Sequence, residues 1–165
     1  QAMIVDLRSN GGGLLTSCET MLDLILPEGT IVYTEDKYGN RQDLKSDAEH
    51  YMEMPMAVLI NGNTASASEI FAGAVRDFEY GTLIGTRTFG KGIVQQVRQL
   101  ADGSAYKLTV SRYFTPCGDN IHGTGIAPDI ELEYEYLGDE EAGDYDEMKD
   151  NQIVRAIEEL SRERK

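Results

Sequence analysis

The chain has 165 residues, 41% of them hydrophobic, with 15 Lys and Arg against 29 Asp and Glu, a formal net charge of −14. That length supports one domain with its own core. The acidity argues against nucleic-acid backbones and anionic membrane surfaces as partners, and two cysteines make neither a disulfide scaffold nor a zinc cluster. No apolar run approaches the ~20 residues of a membrane span and no basic n-region precedes an apolar stretch, so neither an anchor nor a signal peptide is expected.

The chain opens almost inside its first strand. Met3-Ile4-Val5-Asp6-Leu7 reads as a buried strand entering the glycine loop Asn10-Gly11-Gly12-Gly13. Cys18, Met21, Leu22, Ile25 and Leu26 recur at helical spacing until Pro27 and Gly29. Thr30 to Thr34 reads as a strand, Lys37 to Glu53 as a polar excursion, and Met56 to Ile60 as a second buried strand. Ala67, Ile70, Phe71, Ala74 and Phe78 mark a helix, and Thr82 to Gly85 a strand. Val94 to Leu100 and Ala105 to Tyr113 flank the turn Ala101-Asp102-Gly103-Ser104 as a hairpin. Between Asp129 and Asp150 stand eleven acids and one base, Lys149. Asp139 to Asp150 lacks the Asp-x-Asp-x-Asp-Gly spacing of a calcium loop, so a solvated loop is expected there. Ile153, Val154, Ile157 and Leu160 mark a C-terminal helix. Strands alternating with helices predict an α/β fold, and the abrupt start suggests a piece of a longer protein.

Three segments can carry chemistry. Asn10 to Gly13 lets backbone approach a ligand and aim N–H groups at it, or is simply a tight strand-to-helix turn. Thr64-Ala65-Ser66-Ala67-Ser68-Glu69 sets a serine at the start of a helix, although Ser66-x-x-Glu69 also spells a capping box. Gly85 to Gly92 fits a phosphate loop except that Gly92 stands where Ser or Thr must hold magnesium, and a hairpin rather than a long helix follows. A serine attacking a carbonyl needs a base. His50 and His122 lie in polar or loop sequence, whereas Lys91, between two glycines and near Phe89, is the lysine most readily led into a crowded apolar site that strips its proton.

Taken together, Asp6-Leu7-Arg8 with Asn10 and the glycines, Thr64 to Ile70, Thr88-Phe89-Gly90-Lys91-Gly92 with Gln95, Tyr113 to Pro116 and Gly125 to Asp129 resemble the C-terminal processing peptidases, or tail-specific proteases. The resemblance implies an α/β, crotonase-like (ClpP/crotonase-type) core with an additional β-hairpin and a C-terminal helix. It divides the chain into a catalytic core at 1–135, an acidic loop at 136–150 and a helix at 151–165, and places the family's PDZ domain before Gln1. It implies a serine endopeptidase with Ser66 as nucleophile, Lys91 as general base, Gln95 orienting the lysine, and the N–H groups of Gly12 and Ala67 as oxyanion donors. No metal or cofactor is required, and the partners are protein or peptide substrates presented by their C-termini. An edge left uncovered leaves room for a homo-oligomer, and the compartment implied is extracytoplasmic. A non-catalytic peptide-binding or scaffold module on the same fold is the alternative. Four residues of straight strand would hold Lys91 and Gln95 ~13 Å apart, so a local coil at Gly92 is expected. Cys117 stands where a serine often follows Thr-Pro in the family, and a bridge to Cys18 is not expected.

Overall fold

A computed structural model describes residues 1–47, 49, 52–139 and 145–162; His50, Lys165 and residues 140–144 of the acidic stretch, including part of the stretch tested for calcium, lie outside the described residues. In chain order the elements are β1 (Met3–Asp6), α1 (Leu15–Asp23), β2 (Gly29–Asp36), β3 (Arg41–Ser46), β4 (Met56–Ile60), α2 (Ala67–Asp77), β5 (Gly81–Gly85), β6 (Ile93–Gln99), β7 (Ala105–Phe114), β8 (Ile130–Glu131) and α3 (Asn151–Arg162), with a 3₁₀ turn at Glu147–Lys149.

The apolar run of β4 has every residue buried because it is covered on both faces. Met56, Val58 and Ile60 join Leu22 of α1, Phe71 of α2 and Leu83 of β5 in the larger core. Ala57 and Leu59, pointing the other way, pack with Ile84 and with Ala156 and Leu160 of α3. Each large aliphatic side chain so enclosed contributes about 1.5–3 kcal/mol. Strands β1, β4, β5 and β8 pair in that order, all parallel, with Asp6 opposite Leu59 and Ile60 opposite Gly85.

The remaining strands form a second sheet, antiparallel throughout, in the order β3-β2-β7-β6. Here the crotonase-like core with one added hairpin is corrected. β6 and β7 are not an appendage, because β7 continues sideways into β2 through Tyr33↔Phe114 to Asp36↔Ser111. The physical reason lies in β2, which buries Ile31 and Val32 while much of its remaining length is only half covered. Such a strand suits a sheet with one face toward solvent rather than a parallel sheet wrapped by helices. The stretch from Lys37 to Glu53 is likewise not all excursion: it turns at Asp36-Lys37-Tyr38-Gly39-Asn40 and returns as β3, whose polar sequence turns Ser46 inward and half-buries Leu44. Helix α1 stops at Asp23, three residues before the apolar stripe ends, and Ile25 and Leu26 enter the core from a turn.

No helix among the described residues is long and apolar enough to cross a membrane. The C-terminus of α2 is joined to the loop after β7 by Asp77, whose side chain is buried. Its carboxylate accepts the Cys117 N–H at 2.9 Å and pairs with Arg76 at 2.7 Å. Burial pushes this carboxyl up, but hydrogen bonds from Thr115, Cys117 and Arg76 outweigh it and hold Asp77 below the usual carboxylate range. The stability it supplies is therefore complete above the ordinary value of 3.8 and is lost as pH falls below it. Denaturant midpoints measured from about pH 5 down to about pH 2 are expected to fall, and Asp77→Asn is expected to flatten that fall.

Candidate active site

β1, β4 and β5 lie side by side and run the same way, so the loops leaving their C-terminal ends meet at one edge of the sheet. Those loops, 7–14, 61–66 and 86–92, carry the Asn10–Gly13 turn, the start of the Thr64–Glu69 segment and most of Gly85–Gly92, which the sequence singles out. Thr64, fully buried, stitches them together. Its hydroxyl donates to the Leu7 carbonyl at 2.7 Å and accepts the Asn61 N–H at 3.0 Å, while its carbonyl accepts the Phe89 N–H at 3.0 Å. Beside it the Ala65 N–H donates to the Asn10 carbonyl at 3.0 Å, and Asn61 Oδ1 accepts the Ser9 N–H at 2.9 Å.

Ser66 sits at the sharp turn from this loop into α2, with φ 59° and ψ −120°. A non-glycine residue in such a region costs about 1–3 kcal/mol and persists only where its surroundings over-determine it. The strand-turn-helix geometry is that of a nucleophile elbow, which lifts a hydroxyl clear of the sheet. Ala67 opens α2, and its N–H belongs to the amides that a helix leaves unpaired by its own turns. Gly12 passes directly over this elbow: with φ +87°, an added Cβ would lie 2.6 Å from the Ala65 carbonyl oxygen, 2.7 Å from the Ala67 nitrogen and 2.9 Å from Ser66 Cβ. Only glycine permits that approach. In this structure the Gly12 N–H donates to Asn10 Oδ1 at 2.9 Å, so the amide implied as an oxyanion donor is held by the loop's own asparagine. Gly11 and Gly13 are exposed and unhindered.

In the sequence Glu69 spells only a capping partner, yet it organises the site. Its side chain is fully buried. Oε2 accepts the N–H of Ser66 at 2.9 Å and of Lys91 at 2.7 Å, and Oε1 accepts the N–H of Gly90 and the hydroxyl of Thr88, each at 2.6 Å. Thr88 in turn accepts the Ile126 N–H at 2.7 Å. Four donors offset the cost of taking a carboxylate out of water. Because one oxygen receives both amides, the backbone nitrogens of Ser66 and Lys91 can be no farther apart than those two bonds laid end to end.

The Lys91 side chain does not occupy a crowded apolar site. In the loop after β5 the glycines turn inward: Gly90 packs on Gly123 and Gly125, and a Cβ on Gly92 would lie 2.5 Å from the His122 nitrogen. Phe89, at 65% exposure, and Lys91 are left on the solvent side. The chain does not coil at Gly92 either. Ile93 begins an extended strand with a register shift between Val94 and Gln95, and the Gln95 amide donates across the sheet to Thr109 at 3.3 Å. β-branched residues paired with β7 hold it straight.

Beside Ser66 a cavity of about 180 Å³ is lined chiefly by Leu7, Gly12, Leu14, Cys18, Met21 and Phe71. It is open and mainly apolar, with Asn10, Ser17 and Ser68 as its polar lining. Cys18 donates its thiol proton to the Ala67 carbonyl at 3.3 Å, and burial first, then the charge of Glu19, pushes that thiol up to about 12. Both cysteines are free thiols, Cys18 buried and Cys117 exposed. Among the described residues no group of three or more His, Cys, Asp or Glu is arranged to hold a metal ion.

Residues 1–132 match Peptidase family S41. The carboxyl-terminal-processing protease of Synechocystis is 45% identical over 130 residues, 79% of this chain and 30% of that protein. The chloroplastic C-terminal processing peptidase of Tetradesmus obliquus is 40% identical over 136 residues, 82% of this chain and 29% of that one. The chain thus spans under a third of these relatives' length. Among solved structures, a photosystem II D1 C-terminal processing protease matches with TM-score 0.78 and 40% identity over 83% of this chain and 36% of that one. A putative peptidase from Parabacteroides merdae shares the fold, with TM-score 0.73 and 22% identity over 96% of this chain and 51% of its own. The architecture is accordingly that of the C-terminal processing proteases, in place of the crotonase type expected from the sequence. With the elbow serine, the glycine loop above it and the lysine tied to the same carboxylate, the chain belongs to peptidase family S41.

Proposed function

We propose that the parent protein is a serine endopeptidase that cleaves proteins presented by their C-termini, with residues 1–135 as its catalytic core, followed by an acidic loop at 136–150 and a helix at 151–165. The observation that carries this reading is the Glu69 carboxylate, which binds the backbone N–H of Ser66 and of Lys91 through one oxygen. Ser66 Oγ attacks the scissile carbonyl carbon as its proton passes to the neutral Lys91 amine. The C–N bond then breaks as that proton goes to the leaving amine, and water attacks the ester on Ser66 to release the acid. The Ala67 and Gly12 N–H groups receive the oxyanion, for which Asn10 has to yield the Gly12 amide. Gln95 orients the lysine, and both side chains have to leave their solvent-facing positions to do so. No metal or cofactor enters any step.

The apolar cavity beside Ser66 supports a preference for a small uncharged side chain at the cleaved position. Family resemblance supports an extracytoplasmic site of action. One observation favours the second reading, a peptide-binding module without catalysis: the Gly12 amide is already engaged.

In the full-length protein, Ser66→Ala and Lys91→Ala are each expected to lower kcat by about 10³-fold or more, and Ser68→Ala by less than about tenfold. A fluorophosphonate probe should label Ser66. Full peptide hydrolysis by Lys91→Ala would remove the peptidase reading, and peptide retention without labelling would establish the binding module. Glu69→Gln turns an amide toward two of its four donors and is expected to cost about 2 kcal/mol or more in unfolding free energy, measured by denaturant titration, along with activity.

A further inference from the structure

The loop bearing Gly12 is anchored from behind by a part of the chain beyond residue 132, where the family match ends. Arg8 stands four residues before Gly12. Its Nη1 donates to Asp150 Oδ2 at 2.7 Å and to Gln152 Oε1 at 3.1 Å, while Nε and Nη2 grip the Asp6 carboxylate at 2.9 and 2.6 Å. The Arg8 guanidinium also lies 5.3 Å from the centre of the Tyr134 ring. Asp150 has no exposed surface. Its Oδ2 also accepts the Tyr145 hydroxyl at 2.6 Å, and its Oδ1 accepts the N–H groups of Gln152 and Ile153 at 2.9 and 3.1 Å, capping α3. One buried carboxylate thus joins the start of the C-terminal helix to the residue that launches the glycine loop.

The two acidic partners of Arg8 are not equivalent. Asp6 is 46% exposed and closes β1 only two residues before Arg8, so it holds the guanidinium from the strand that feeds the loop. Asp150 is fixed by the backbone of α3 and provides an external reference. From Arg8 the chain reaches Gly12 through Ser9, at φ +57° with its N–H on Asn61 Oδ1, and Asn10, whose N–H donates to the Leu7 carbonyl at 3.1 Å and whose carbonyl accepts the Ala65 N–H. The Arg8 side chain is only 13% exposed, so neutralising Asp150 leaves its guanidinium held by the Asp6 carboxylate without a second charge and draws it toward water, and the loop with it.

We infer that Asp150 is a positioning residue for the Gly12 amide, acting through Arg8, so that the C-terminal segment sets the alignment of the glycine loop over Ser66. The inference rests on the peptidase reading for its kinetic consequence but not for its structural one. A misplacement of about 1 Å at a reacting centre lowers rate by up to about 100-fold.

The test uses the full-length protein carrying Asp150→Asn or Tyr145→Phe. The second variant removes one hydrogen bond from a half-exposed ring and keeps the experiment decisive if the first fails to fold. Expected are a fall in kcat of about tenfold for Asp150→Asn and about threefold for Tyr145→Phe, with KM within about twofold, for variants that melt as folded proteins. Hydrogen exchange followed by mass spectrometry is expected to quicken in the 7–14 segment and not in 66–75. Unchanged exchange in 7–14 in a folded variant overturns the inference, as does wild-type kcat in both variants. If the wild-type protein proves inactive while exchange in 7–14 still quickens, the peptidase reading fails and the coupling stands.

Discussion

A single buried carboxylate holds the site together. Glu69 draws the amides of Ser66, Gly90 and Lys91 and the Thr88 hydroxyl onto its two oxygens, so the turn after β4 and the loop after β5 are parts of one hydrogen-bonded unit. The energetics are lopsided. Four satisfied donors make burial of the charge tolerable, whereas losing the acceptor would strand the buried Gly90 amide and Thr88 hydroxyl. The strained backbone of Ser66 is sustained in the same way, by partners that leave it no relaxed alternative.

The parallel sheet explains why residues as far apart as Gly12, Ser66 and Lys91 meet at all. Adjacent parallel strands deliver their following loops to one edge, and each loop here brings a different component. Contacts with almost no spare volume then set the spacing. Gly12 lies against Ala65, Ser66 and Ala67, Gly90 against Gly123 and Gly125, and Gly92 against His122, and each pair closes a gap that a methyl group would hold open.

Much of this was legible in the chain. The apolar run Met56 to Ile60 announced a strand buried on both faces, the stripe from Ala67 to Phe78 a helix, and the Asp-Gly turn between two β-rich runs a hairpin. Family motifs in register pointed to the site segments. What was missed has physical causes. β3 carries charged residues on an outward face and makes its case only by pairing with β2. The second sheet depends on the sideways pairing of β2 with β7, across some eighty residues, which no local pattern announces. The alternation Phe89, Gly90, Lys91, Gly92 suggested a lysine directed inward, but small residues between large ones mark where backbone packs against backbone, and the large ones then turn out. Glu69 spelled a capping box, a local signal that hid its longer-range partners.

The parallel sheet is closed by β8, which adds to β5 from residue 130, and the Arg8–Asp150 pair spans 142 positions of sequence. A ribosome therefore delivers nearly the whole of this chain before its first strand acquires its final setting. Topologies of this kind fold slowly, because widely separated stretches must find each other before their contacts repay the search. The same arrangement leaves β5 without its outer neighbour and Arg8 without its buried counter-charge until the last third of this chain has emerged.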